Sequence, residues 1–116
     1  MQIPTSLRKS ATERQYQLDK ESGSTIPLLE EPAILERYGW RLISNRYPYD
    51  AVFEKHDMLI PIDGSGEFDG DFYNLLNELS PEYDFWFVNF RHRQSIKDLV
   101  HVHLVKHKQR KDMSLC

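Results

Sequence analysis

The sequence predicts an α+β domain: an antiparallel sheet of four strands with two helices between them, preceded by a polar N-terminal extension. Three observations carry this. Val100-His101-Val102-His103-Leu104-Val105-Lys106 alternates strictly and is rich in β-branched residues, the pattern of a half-buried strand. Asp84-Phe85-Trp86-Phe87-Val88-Asn89-Phe90 is a second, aromatic strand. Between the early strands and this one, Phe72, Leu75, Leu76 and Leu79 fall at i, i+3, i+4 and i+7, an apolar helical stripe aimed at a core.

The elements follow in order. Residues 1–25 hold few large apolar side chains (Ile3, Leu7, Tyr16 and Leu18) and read as an appendage with little part in the chemistry. Ser10 to Lys20 can form a helix there, and Glu21-Ser22-Gly23-Ser24 reads as linker. A domain over 26–108 begins with a helix from Ile26-Pro27 to Tyr38. Pro32 suits its first turn, Ile34, Leu35 and Tyr38 supply the spacing, and Gly39 supplies the stop. Trp40-Arg41-Leu42-Ile43-Ser44 is a strand, and Asn45 to Asp50 is turn chemistry because Pro48 withholds a ladder donor. The strand Met58-Leu59-Ile60-Pro61-Ile62 follows the charged segment Glu54-Lys55-His56-Asp57. The apolar helix opens near Asp69 or Asp71, acidic residues suited to an N-terminal turn, and Ser80-Pro81 stops it. Residues 109–116 form a basic tail.

Composition narrows the classes. A chain of 116 residues with 40% hydrophobic and 28% charged residues fits one soluble domain with a core of its own. The net charge of −3 gives no general pull toward nucleic acid. The one cysteine, Cys116, excludes an internal disulfide and a cysteine metal cluster and suits a reducing compartment. No run of about 18 apolar residues is present, and Met1-Gln2-Ile3-Pro4 opens no apolar signal core, so a cytoplasmic protein is expected.

Chemistry is expected on one face of the last strand. Alternation puts Val100, Val102 and Leu104 on a core face, and Leu99, His101, His103, Val105 and His107 on the other. Imidazoles two residues apart lie roughly 6.5–7 Å apart along a strand, near enough for both to touch one phosphate. A neutral imidazole is a good nucleophile toward phosphorus, and a second one can donate to a phosphate oxygen. Ser95 can donate to a leaving oxygen, and Asn89 can fix the phosphate or a backbone group. A different chemistry is also open: His101 and His103 with His56 or His92 would make a three-imidazole metal site. His56 itself is expected to bond backbone near the sheet edge. On the aromatic strand, Phe85, Phe87 and Asn89 share one face and Trp86, Val88 and Phe90 the other.

Val100 to Lys106, preceded by Gln94-Ser95-Ile96, resembles the signature of the histidine-triad (HIT) superfamily of nucleotide hydrolases and transferases. That signature alternates three His with hydrophobic residues and ends in two hydrophobic positions. In the matching register Leu99 stands at the first His, His101 at the nucleophile and His103 at the third His, with Leu104-Val105 closing. His56-Asp57-Met58-Leu59-Ile60-Pro61 resembles the family's strand of His, hydrophobics and Pro, and Asn45-x-x-Pro48 its preceding Asp-x-x-Pro. The chain departs from the pattern at Leu99, at Asn45 in place of Asp, and at Ile62 where Lys is usual. A second register makes His101 the first His and His103 the nucleophile.

The resemblance implies an antiparallel HIT-like sheet and catalysis by His101, His103 and Ser95 without metal or cofactor. It implies substrate contacts from Asn45, Asn89, Gln94 and Leu99. The implied substrate is a nucleotide or nucleotide conjugate, free or at the end of a nucleic acid. Its phosphoester, anhydride or amidate bond would be cleaved through a nucleotidyl-histidine. A homodimer is implied, and no membrane partner. The departures leave a second function open, a catalytically impaired domain that binds a nucleotide or a protein.

Overall fold

The computed structural model describes residues 7–25, 27–63, 66–89 and 100–108. They form an α+β fold: α1 (Ser10–Ser22), β1 (Ala33–Arg37), β2 (Trp40–Ser44), β3 (Phe53–Pro61), α2 (Gly70–Leu79), β4 (Phe85–Phe87) and β5 (Val102–His107). The five strands make one antiparallel sheet in the order β1-β2-β3-β5-β4. Short 3₁₀ turns cover Leu28–Glu30 and Ser80–Glu82.

Strand alternation divides the buried residues between two faces. Trp40, Leu42, Leu59, Val102 and Leu104 pack against Phe72, Leu75 and Leu79 of α2. The Asp69 carboxylate, one of the two acidic residues expected near the helix start, caps α2 by accepting from the Phe72 backbone N–H at 3.0 Å. Ile43, Met58 and Ile60 occupy the opposite face with Leu28 beside them. His56, His103 and Val105 lie on that second face, because Met58 pairs with His103 and His56 with Val105. Val100 stays at the surface, so the apolar half of the last strand begins at Val102.

Several elements differ from expectation, and the aromatic strand is confined to Phe85–Phe87. The helix expected over 26–38 is absent: after the 3₁₀ turn, Ala33–Arg37 is an edge strand paired to β2. Tyr38 (φ 55°) and Gly39 (φ 81°) are the turn between Arg37 and its partner Trp40. Two consecutive left-handed residues make the tight hairpin turn whose twist matches the strands, so Gly39 serves a hairpin and not a helix end. The charged segment Glu54–Asp57 belongs to β3, whose two strand neighbours supply its ladder. Glu21 and Ser22 continue α1, and left-handed Gly23 closes that helix by donating to the Asp19 and Lys20 carbonyls.

The N-terminal segment is fastened to the second sheet face. No side chain of Lys9 caps α1; the Asp50 carboxylate does so from the β2–β3 loop. It accepts from the Lys9 N–H at 2.7 Å and the Thr12 hydroxyl at 2.6 Å. Burial raises the Asp50 pKa, but these donors outweigh it and hold the carboxyl below its ordinary value. Arg8 Nε donates to the Tyr47 carbonyl at 2.6 Å, and the Tyr47 hydroxyl donates to Asp19 at 2.7 Å. Burial, followed by that bond to Asp19, pushes the Tyr47 phenol up to about 12. The sheet therefore lies between α2 and the N-terminal segment.

Candidate functional site

The site is assembled on the second face from β3, β4, β5, the β2–β3 loop and α1. At its centre, His56 Nε2 and His103 Nδ1 are 2.7 Å apart, with both rings buried. The Tyr49 backbone N–H, which can only donate, reaches His56 Nδ1 at 3.0 Å. Nδ1 of His56 is therefore an acceptor, so the proton of the neutral ring sits on Nε2 and is donated to His103 Nδ1. His103 is held in turn with its proton on Nε2. That atom lies 3.4 Å from the Asn89 amide nitrogen, which also donates to the Tyr49 hydroxyl at 3.2 Å. A half-turn of the Asn89 amide brings its oxygen to the His103 N–H and lets the Tyr49 hydroxyl donate to the same oxygen.

Aromatic packing fixes these rings. Phe87 stacks on His103 with centroids 4.8 Å apart and planes 11° apart, and Tyr49 stacks on the same ring at 5.5 Å. Tyr49 also packs on His56 at 4.5 Å. The Asn45 amide nitrogen is nearly equidistant from the two His56 nitrogens, at 3.2 and 3.3 Å, which puts it over the ring face. The Asn45 carbonyl oxygen accepts from the Tyr47 N–H at 2.9 Å and shapes the loop.

Burial lowers the His56 pKa to about 4, with the Arg8 charge adding to it. Burial also lowers that of His103, to about 3, assisted by His56, His101 and Arg8. Both rings are thus neutral at pH 7. Unfolding returns each to its ordinary value near 6.5. The unfolded chain then binds more protons than the folded one between pH 6.5 and the folded values. Stability is complete above about pH 6.5 and is lost as pH falls toward 4 and 3. The unfolding free energy is expected to drop by roughly 3 kcal/mol between pH 7 and pH 5 in denaturant titrations. A flat profile would contradict the neutral pair.

Beside the pair is a cavity of about 290 Å³. Its walls include His101, His103 and Asn89 from the sheet side, Asn45, Tyr47 and Tyr49 from the loop, and Arg8, Tyr16 and Lys20 from the N-terminal segment. His101 is 6% exposed and stands edge-on to His103 at 5.4 Å between centroids. Among the described residues, no carboxylate lines this space.

Of the residues singled out in the sequence, His101, His103, Asn45 and Asn89 meet at this one cavity. Ser95, Gln94, Leu99 and His92 lie outside the described residues. His56 does take a backbone donor, but on a strand flanked on both sides, and its second contact is His103. His107 is peripheral: its backbone N–H and ring both meet Asp84. A three-imidazole metal site fits poorly, because the facing nitrogens of His56 and His103 are spent on each other. Among the described residues, no group of three or more potential ligands could hold a metal ion. Tyr47, Tyr49, Arg8, Tyr16 and Lys20 also line the cavity, although the sequence singles out none of them as a site residue. Tyr47 and Tyr49 lie in or just after the Asn45-x-x-Pro48 turn, whereas nothing local marks Arg8, Tyr16 and Lys20.

Among the described residues, no helix is long and apolar enough to cross a membrane. Compared with known proteins, the chain matches no family model, no curated protein and no solved structure.

Proposed function

We propose that the chain is a HIT-like cytoplasmic nucleotide hydrolase or nucleotidyl transferase that works through His101. The observation that carries this reading is the meeting of His101, His103, Asn45 and Asn89 at one cavity with cationic and no carboxylate walls among the described residues. Such a cavity suits a phosphate group next to a neutral nucleophile.

An imidazole nitrogen of His101 forms a bond to the α-phosphorus of a nucleoside phosphoester, anhydride or amidate. The bond from phosphorus to the leaving group breaks, and the leaving group departs with the electron pair and takes up a proton, with Ser95 as the donor the resemblance assigns. Water or another acceptor then attacks the nucleotidyl-histidine and returns a proton to Ser95, the P–N bond breaks, and His101 is regenerated. The His103 Nε2–H, released from the Asn89 oxygen as the ligand binds, supplies a donor for the developing charge on phosphorus-bound oxygen. The proton arrangement around His56 leaves His103 no lone pair to offer, which favours His101 over His103 as the nucleophile. Turnover needs no metal in this scheme.

A second reading has its own observation: Phe87, Tyr49 and His56 hold His103 tightly, an arrangement equally suited to binding without turnover. Incubation with adenosine 5′-phosphoramidate or a dinucleoside polyphosphate, followed by chromatography of the products, separates the two. Release of the mononucleotide supports the enzyme. Ligand-induced thermal stabilisation without product supports the binder, and neither response contradicts both.

A further inference from the structure

The two cations on the cavity wall, Arg8 and Lys20, both come from the N-terminal segment, whereas the imidazoles come from the sheet. They are held very differently. The Arg8 guanidinium is wedged between aromatic rings, 4.5 Å from the Tyr16 centroid and 5.1 Å from that of Tyr49. It is also bonded to the Tyr47 carbonyl and, at 3.2 Å, to Glu13. Arg8 therefore builds the wall and cannot swing into the space. Lys20 is exposed, near the C-terminal end of α1. Among the described residues, its ammonium has only an approach of 5.8 Å to the Tyr16 ring. A flexible four-carbon stem and three unspent donors suit it to an anion in the cavity.

We propose that Lys20 is a specificity-determining residue: it holds an anionic group of the ligand other than the phosphate at His101, so that the cavity favours nucleotides with more than one phosphate. This rests on the reading of the cavity as a nucleotide site and adds the ligand's second charged end. A mononucleotide placed at His101 leaves Lys20 facing water. A di- or triphosphate chain extends negative charge along a wall that, among the described residues, carries no acid to repel it. Helix α1, held by its Asp50 cap and the Tyr47–Asp19 bond, carries the lysine and so selects the ligand.

The test is calorimetric titration of the full chain with adenosine monophosphate, with α,β-methylene adenosine triphosphate (which resists cleavage at the α-phosphorus) and with inorganic tripolyphosphate. The parent is expected to bind the triphosphate analogue more tightly than the monophosphate. Lys20→Ala weakens the analogue roughly three- to ten-fold, the range of an exposed charge-assisted contact. It changes monophosphate binding by less than about two-fold, since no direct contact is lost. Lys20→Arg retains the preference. Arg14→Ala, which removes the same charge from the same helix away from the cavity, leaves both affinities unchanged. High salt shrinks the Lys20 effect.

The proposal is overturned if Lys20→Ala leaves the preference intact or weakens both nucleotides equally. Monophosphate binding in that case leaves the nucleotide reading standing. Tripolyphosphate binding as tight as the analogue, with no response to monophosphate, overturns the nucleotide assignment and the proposal with it. Binding of none of the three does the same.

Discussion

Replacing His101 with alanine is expected to lower turnover of a nucleoside phosphoramidate by at least about a thousand-fold while nucleotide binding persists. The proposed reaction begins with bond formation at this ring, and among the described residues no neighbouring imidazole can substitute. His103 spends its Nδ1 lone pair on His56 and carries its proton on Nε2, and the Tyr49 N–H and His103 engage both nitrogens of His56. Removing His101 therefore removes the lone pair that attacks, whereas Asn45, Asn89, Tyr47 and the α1 wall still line the cavity. Steady-state rates, together with the nucleotide-induced rise in Tm, check this. A variant that keeps the parent rate would exclude His101 as nucleophile.

Substitution of His56 by alanine is expected to destabilise the fold by about 3 kcal/mol. Two groups lose their partners, the half-buried Tyr49 N–H and the buried His103 Nδ1, and a void opens among Tyr49, Phe53 and His103. For a domain of this size that is a fall in Tm of about 12 °C. Because the two rings act as one unit, the His56→Ala/His103→Ala double variant should lose less than the sum of the single variants. Additive losses in chemical denaturation would contradict the coupling. Val105 and Phe85 sit opposite His56 along the sheet, so the ladder itself remains to report folding.

How far the sequence could be read follows from which signals are local. Trp40–Ser44 is bounded in the chain by Gly39 and the Asn45 turn, and the structure keeps those bounds. The start of α2 is legible to within two residues, at Asp69 or Asp71, because the capping bond spans only three residues. Alternation alone separates Val102 and Leu104 from His103 and Val105, and places Phe87 with Asn89 opposite Trp86. Gly39 misled because a left-handed glycine ends helices and closes hairpins alike, and Ile34, Leu35 and Tyr38 are too few to fix a period.

The remainder of the site depends on contacts with no local signature. Arg8 reaches Tyr47 across 39 positions, and Asp50 reaches Thr12 across 38. The polar composition of residues 1–25 reads as an appendage because the anchoring of its described part is by hydrogen bonds and ring contacts, and α1 buries no residue completely. The hydrogen bond from His56 Nε2 to His103 Nδ1 spans 47 positions and becomes visible only when β3 and β5 pair.

The most direct measurement is mass spectrometry of the protein quenched at alkaline pH during turnover of an adenylyl phosphoramidate. Alkaline conditions preserve a phosphorus–nitrogen bond to histidine that acid would break. A nucleotidyl adduct is expected on the peptide that contains His101, absent from the His101→Ala variant. Turnover with no adduct, or an adduct carried on another residue, would contradict the His101 intermediate.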